Sequence, residues 1–256
     1  MQRLDLLLVQ QQLAATRSQA QQLISQGRVC GFIKGKWQPV SKAGLKLAES
    51  TCLRVEDDPA DRYVSRAGMK LAAALAKAGL EVTSWQVLDI GQSTGGFSDC
   101  LLQAGAGLVV GLDVGQQQLH PSLSQHPRLR SLEKINARYL TAEQLQQHSL
   151  PTEYDLIVMD VSFISQTLIL KQLPPLLKPQ GWLITLVKPQ FEVGKDNIGK
   201  GGVVRNPALY QQVKEKISQQ LKDLNLELRY WLTSPLLGGD GNQEFLLVAQ
   251  AHPEAP

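Results

Sequence analysis

The chain has 256 residues, 43% hydrophobic and 19% charged, with a formal net charge of +3, an ordinary globular composition with room for one large domain and a small one. No apolar run is long enough for a transmembrane helix, and the opening MQRLDLLLVQQQ lacks the basic region, apolar stretch and cleavage site of a signal peptide. Cys30, Cys52 and Cys100 are far apart and the four histidines include no HExxH, so a disulfide scaffold and a zinc finger are excluded, no metal site is expected, and a reduced, cytoplasmic setting is expected.

Residues 1–48 hold seven Lys or Arg against one acid, Asp5, and so carry +6, leaving −3 for residues 49–256. A small basic head on a mildly acidic body predicts an anionic partner for the head; a lysine-rich solvated face is the plainer alternative. Leu4, Leu7 and Leu8 make one helical stripe, and Ala20, Leu23 and Ile24 make a second. Thr16 with Gln19 predicts a capping box at the start of the second helix, and Gly27 its end. Val29–Ile33 and Trp37–Val40 flank Lys34-Gly35-Lys36 as a hairpin, and Thr51–Val55 reads as another strand. The polar run Glu56-Asp57-Asp58-Pro59 then sets a domain boundary. The expected division is a head over 1–58, a linker over 59–64 and a second domain over 65–252.

The second domain alternates helix and strand. Ser65–Leu80 carries a helical stripe ending at Gly79. Val87–Ile90, Leu108–Leu112, Leu156–Met159 and Leu183–Val187 are short apolar runs without alternation, as in strands buried on both faces of a parallel sheet. Glu227–Leu232 and Glu244–Ala249 flank a glycine-rich loop with no helix between them, so they are expected to pair antiparallel at one edge. The fold class is therefore α/β, a Rossmann-like domain with a mostly parallel sheet, behind a small α+β head.

Asp89-Ile90-Gly91-Gln92-Ser93-Thr94-Gly95-Gly96-Phe97 leaves a strand and enters a helix. Close backbone approach to a ligand there calls for residues without a Cβ, although a tight turn alone would also use glycine. Asp113 ends the next strand, where a carboxylate can accept both ribose hydroxyls of an adenosine-containing cofactor. The glycine spacing is not GxGxxG, which weighs against a dinucleotide and an NAD-dependent dehydrogenase; S-adenosylmethionine has no phosphate and tolerates the looser pattern. Asn136 is expected either near the adenine or as a helix cap. Lys70 opens a helix, Asp160 and Lys188 each follow an apolar strand, and Glu244 begins the last strand. In an open α/β sheet, ligands bind beyond the carboxyl ends of the parallel strands, where Asp160 and Lys188 fall.

Six ordered segments carry a resemblance: Ser65-Arg66-Ala67-Gly68-Met69-Lys70-Leu71; the glycine loop through Phe97; Asp160-Val161-Ser162-Phe163-Ile164-Ser165; Leu186-Val187-Lys188-Pro189-Gln190-Phe191-Glu192; Gly199-Lys200-Gly201-Gly202-Val203-Val204; and Gly241-Asn242-Gln243-Glu244-Phe245. Together they resemble the TlyA, or haemolysin A, family over nearly the whole chain. The head, with Arg3-Leu4-Asp5 and Thr16-Arg17-Ser18, looks like the RNA-binding fold of ribosomal protein S-four. Gln92 stands where the family often has Ala, and Ala67 where a glycine is common; neither change removes a functional group.

The resemblance implies an FtsJ-like ribosomal RNA 2′-O-methyltransferase acting on cytidine, with S-adenosylmethionine as cofactor and ribosomal RNA or ribosomal subunits as partner. It also implies a catalytic tetrad of Lys70, Asp160, Lys188 and Glu244. Asp89, Gly91, Ser93, Thr94, Gly95, Gly96, Phe97, Asp113 and Asn136 are expected at the cofactor. A ribose hydroxyl is a very weak acid, so its proton must be taken or its alkoxide stabilised. Lys188, positioned by Asp160, is the residue expected to do so, with Lys70 and Glu244 holding the ribose and tuning Lys188. Arg3, Arg17, Arg28, Lys36 and Lys42 are expected to form an RNA-facing surface, and Arg66, one helical turn before Lys70, to grip a phosphate. The chain is expected to act as a monomer without metal or membrane. A non-catalytic ribosome-assembly factor and a cytolysin are the alternatives from other classes; pore formation would need a spanning segment that the sequence does not contain.

Overall fold

A computed structural model describes residues 1–57 and 62–253. The end of the polar breaker and the first part of the expected linker, residues 58–61, lie outside the described residues. The chain divides into two compact units, Met1–Arg62 and Tyr63–Pro256.

In the first unit, α1 (Leu4–Gln10) and α2 (Arg17–Ser25) bury the two leucine-rich stripes against Val29, Val40, Leu47 and Leu53. Thr16 Oγ1 accepts the Gln19 N–H at 3.2 Å, but the Gln19 side chain reaches the Ala15 N–H at 2.7 Å instead of that of Thr16. The expected capping box therefore closes one residue out. A three-stranded antiparallel sheet follows, ordered β3-β2-β5, and a pair of two-residue strands, β1 and β4, lies apart from it. These are β1 (Gln2–Arg3), β2 (Val29–Ile33), β3 (Lys36–Pro39), β4 (Lys46–Leu47) and β5 (Leu53–Val55). Lys34 (φ 52°) and Gly35 (φ 79°) both take left-handed backbone, the geometry of a type I′ hairpin turn, so β3 begins one residue earlier than expected.

The second unit opens with Tyr63 and Val64, both expected in the linker. Instead Tyr63 is buried, and the Val64 N–H donates to Asp99 Oδ2 at 2.8 Å. Then come α3 (Ala67–Ala78), β6 (Gln86–Ile90), α4 (Gly96–Gln103), β7 (Leu108–Leu112), β8 (Leu129–Leu132), α5 (Ala142–Gln147), β9 (Tyr154–Met159), α6 (Thr167–Leu170), β10 (Leu177–Val187), α7 (Pro207–Asp223), β11 (Leu226–Thr233) and β12 (Phe245–Ala251). The seven strands run in the order β11-β12-β10-β9-β6-β7-β8, parallel from β8 through β10, with β12 antiparallel to β10 and to β11. Alternate residues of each central strand enter opposite cores. Leu88, Ile90, Ile157 and Met159 meet Val213, Ile217 and Leu221 of α7, while Val87, Leu156, Val158 and Ile184 meet Leu71 and Leu75 of α3 and Leu101 of α4. Burial on both faces is why these strands read as unbroken apolar runs.

Because the chain leaves β6 first to one side (β7, β8) and then to the other (β9), the order reverses between β6 and β9. That switch point opens a crevice at the carboxyl ends of the strands. Among the described residues, no helix is long and apolar enough to cross a membrane, and no cluster of His, Cys, Asp or Glu could hold a metal ion.

Candidate active site

At the switch point the loop after β6 is fixed by backbone: the Gly91 and Gln92 N–H groups both donate to Leu112 O, at 2.9 and 3.1 Å, and the Asp160 N–H donates to Ile90 O at 2.9 Å. Gly91 (φ 82°) and Gly95 (φ 92°) take left-handed backbone. A Cβ on Gly91 would run into the carbonyl of Asp160, one on Gly95 would lie 2.6 Å from Leu123, and one on Gly96 would strike the Ser65 hydroxyl. These glycines make room for neighbouring protein, above all for the chain that carries Asp160, the tight-turn use of glycine that the sequence also allowed, while Gly91 and Gly96 line the cavities described next.

A cleft of about 420 Å³ opens beside this loop, walled by Gly91, Ser93, Asp113, Val114, Ile135, Asn136 and Ala137 on one side and by Asp160, Ser162 and Phe163 on the other. Both carboxylate oxygens of Asp113 are held by backbone, accepting from Ser93 N–H and Gly115 N–H, each at 2.7 Å. Ser93 itself is in left-handed backbone (φ 47°), a strained state that the bond to Asp113 stabilises. Asn136 caps a short 3-10 turn, as one of its two expected placements had it, its Oδ1 accepting the Arg138 N–H at 3.1 Å, and it also lines the cleft.

Asp89 departs from expectation. It is buried beneath the loop and lines neither this cleft nor its neighbour. Ser98 Oγ donates to Asp89 Oδ2 at 2.6 Å, and Gln92 Nε2 donates to Ser98 Oγ at 2.8 Å. The Gln92 carboxamide rests on Gly111, where any Cβ would collide with it. Loss of water around Asp89 pushes its carboxyl up to about 7, against the Ser98 bond, with the charge of Asp160 adding to the rise. Gly95 also lines neither cavity.

A second cavity of about 140 Å³ adjoins the cleft through Gly91, Ser93, Asp160 and Ser162, and adds Thr94, Gly96, Phe97, Ser65 and Lys188. Lys188 Nζ lies 2.6 Å from Asp160 Oδ1 and donates to Ser162 Oγ at 2.8 Å. Lys70 Nζ pairs with Glu244 Oε2 at 2.5 Å, both side chains nearly buried. The four ionisable residues therefore form two pairs. The β10–β12 register ends at Val187 opposite Phe245, so one further step sets Lys188 opposite Glu244. Lys70 and Glu244, expected to hold the ribose and to tune Lys188, line neither cavity.

Sequence reasoning gave no role to Phe163, yet it is 91% exposed, has left-handed backbone (φ 66°) and lies at the rim of the larger cleft, its ring 5.4 Å from that of Phe191. A phenylalanine four residues past a strand reads as core in sequence; only its exposure distinguishes it.

The expected basic face is partly spent internally. Arg3 binds both oxygens of buried Asp5 at 3.0 Å, and Arg17 adds a bond at 2.9 Å. These guanidinium partners, Arg3 foremost, hold the Asp5 carboxyl well below the usual carboxylate range. Arg28 donates to Glu56 O at 2.9 Å. Lys36, Lys42 and Arg66 are exposed; Arg66 precedes the first residue of α3 while Lys70, one turn on, turns inward, so the two do not share a surface.

A family profile described as FtsJ-like methyltransferase matches residues 63–251, and one described as S4 domain matches residues 2–30. The chain is 39% identical to the 16S/23S rRNA (cytidine-2′-O)-methyltransferase TlyA of Mycobacterium tuberculosis (strain ATCC 25618 / H37Rv), over 96% of its own length and 88% of that protein. It is 36% identical to Hemolysin A of Brachyspira hyodysenteriae, covering 95% of this chain and 98% of the relative. A solved structure from Streptococcus thermophilus, described as a candidate hemolysin, superposes with a TM-score of 0.75 at 38% identity, covering 100% of this chain and 90% of that one.

Proposed function

The chain belongs to the FtsJ-like methyltransferase family, beside the TlyA and hemolysin A proteins, and from that membership we propose that it transfers a methyl group from S-adenosylmethionine to the 2′-hydroxyl of a cytidine in ribosomal RNA. The observation that carries this reading is the Lys188–Asp160 pair, facing a small cavity that opens into a nucleoside-sized cleft.

The residues fit the cofactor. Asp113 uses one lone pair of each oxygen on backbone and keeps others for a ribose diol. Val114, Ile135 and Ala137 offer apolar walls to an adenine, and the Gly91–Ser93 backbone leads toward Lys188. When bound, S-adenosylmethionine supplies an electrophilic methyl group on a sulfonium. The protein's own work is on the acceptor. Lys188 donates one ammonium hydrogen to Ser162 and is paired by charge with Asp160, which leaves ammonium hydrogens for the 2′-oxygen. The pair so presents a donor and an acceptor to the hydroxyl, the two functions that deprotonating a weak acid requires. Lys70 and Glu244, behind the cavity, are positioning residues that hold the end of β12 against Lys188. Phe163 offers its exposed ring to the target base, which leaves its stack to bring the ribose inward.

RNA binding is assigned to residues 1–58 and the chemistry to the unit that opens at Tyr63 and contains residues 65–252. Purified protein, labelled S-adenosylmethionine and ribosomal subunits test the reading. Label should enter RNA, and Lys188→Ala should lower incorporation by roughly 100-fold or more while cofactor affinity stays, as expected for a group acting on the transition state. Normal incorporation by Lys188→Ala overturns it.

A further inference from the structure

On the three-stranded sheet of the head, β2 and β3 set Phe32 directly opposite Trp37, with ring centres 5.5 Å apart in an edge-to-face arrangement. Neither ring joins the apolar core of the head; they stay 45% and 41% exposed. From β5, Arg54 lays its guanidinium over the Trp37 indole, 4.7 Å from the ring centre. The adjoining hairpin turn brings Lys34 and Lys36, both exposed, next to the pair in the chain. Folding of the head does not explain two large rings left in water while eleven apolar residues close its core.

The composition of this patch selects a partner. Aromatic rings offer a face on which any base can stack, arginine extends that surface, and lysines alongside meet phosphates. The +6 charge of residues 1–48 supplies the complementary field. We propose that Phe32, Trp37 and Arg54 form a stacking site for an unpaired RNA base, with Lys34 and Lys36 on the flanking phosphates. The proposal rests on the reading that this chain binds RNA. It adds a single-strand contact, tolerant of sequence, that is separate from the arginines engaged with Asp5.

The test uses the full chain with two probes, a short oligocytidylate and a perfectly paired RNA duplex of equal length. Trp37→Ala should weaken the single strand roughly 5- to 150-fold, as for loss of one stacked base, and change duplex affinity by less than about twofold. Trp37→Phe should restore most of the affinity. Lys34→Gln with Lys36→Gln should flatten the salt dependence of single-strand binding by about 0.7 per lysine. Because both rings are part-exposed, Trp37→Ala should keep the urea midpoint of the wild type. An unchanged single-strand affinity, or equal losses on both probes, overturns the proposal and returns the patch to a protein-facing or bare surface. Methylation of subunits without binding of the oligocytidylate overturns the stacking site alone. Binding of the oligocytidylate without methylation overturns the enzymatic reading and leaves the site standing.

Discussion

Two aspartates beside the same loop have opposite fates. Asp113 keeps its carboxylate at the cleft with both oxygens anchored by backbone. Asp113→Ala should therefore weaken S-adenosylmethionine binding by about 1–3 kcal/mol, the usual loss for hydrogen bonds to a charged group, read by calorimetry; unchanged affinity would remove Asp113 from the cofactor. Asp89 is buried, and its carboxyl is raised to about 7. A folded-state value above the unfolded one of about 3.9 means that the contribution of Asp89 to stability is whole below about pH 4 and is lost as pH rises through about 7. Urea midpoints of Asp89→Asn should accordingly stay flat across that window relative to the wild type; parallel curves would show that Asp89 does not titrate there. Asp5, held down by Arg3 first of all, works the other way: its contribution is present above the unfolded value and lost as pH falls below it. Nothing in the sequence separated these roles, because an aspartate at a strand end reads the same whether its side chain turns out to a cleft or in toward Ser98.

The elements were far more legible than their contacts. Lack of alternation marked the parallel strands because both faces are buried, and the absence of a helix between the last two strands marked their antiparallel pairing. What escaped was short or set by tertiary packing. β1 and β4 are two residues each, too short for a period, and β10 begins at Leu177, six residues before its apolar run. The glycine loop was legible, but not which neighbours its glycines make room for. Its glycines clear space for Asp160, Leu123 and Ser65, so the loop and the chain after β9 form one interlocked unit. Gly91→Ala should then act through Asp160, at a site that combines left-handed backbone with a clash against a carbonyl. The expected outcome is a stability loss of about 2 kcal/mol or more together with reduced methylation. A variant that keeps the wild-type urea midpoint would show that the loop has room to relax.

For the whole molecule, the basic run of residues 1–48 falls inside a head that folds around its own core and that, with the acidic residues before Tyr63, carries +3, while the larger unit is neutral and carries both cavities. A basic unit tethered to a catalytic one raises the local concentration of RNA at the active site without any new contact. The tetrad was legible as residues and in its grouping of Lys188 with Asp160 and Lys70 with Glu244, but not in which members reach a cavity, because only the β10–β12 register and the inward turn of Lys70 decide that. The claim that joins the scales is that the Lys188–Asp160 pair delivers a methyl group to a ribose hydroxyl of ribosomal RNA. Nucleotide-resolution mapping of 2′-O-methylation tests it most directly, on ribosomal RNA from cells lacking the chain, cells restored with it, and cells restored with Lys188→Ala. A cytidine methylated only with the wild-type chain is the predicted result; identical maps in all three would contradict it.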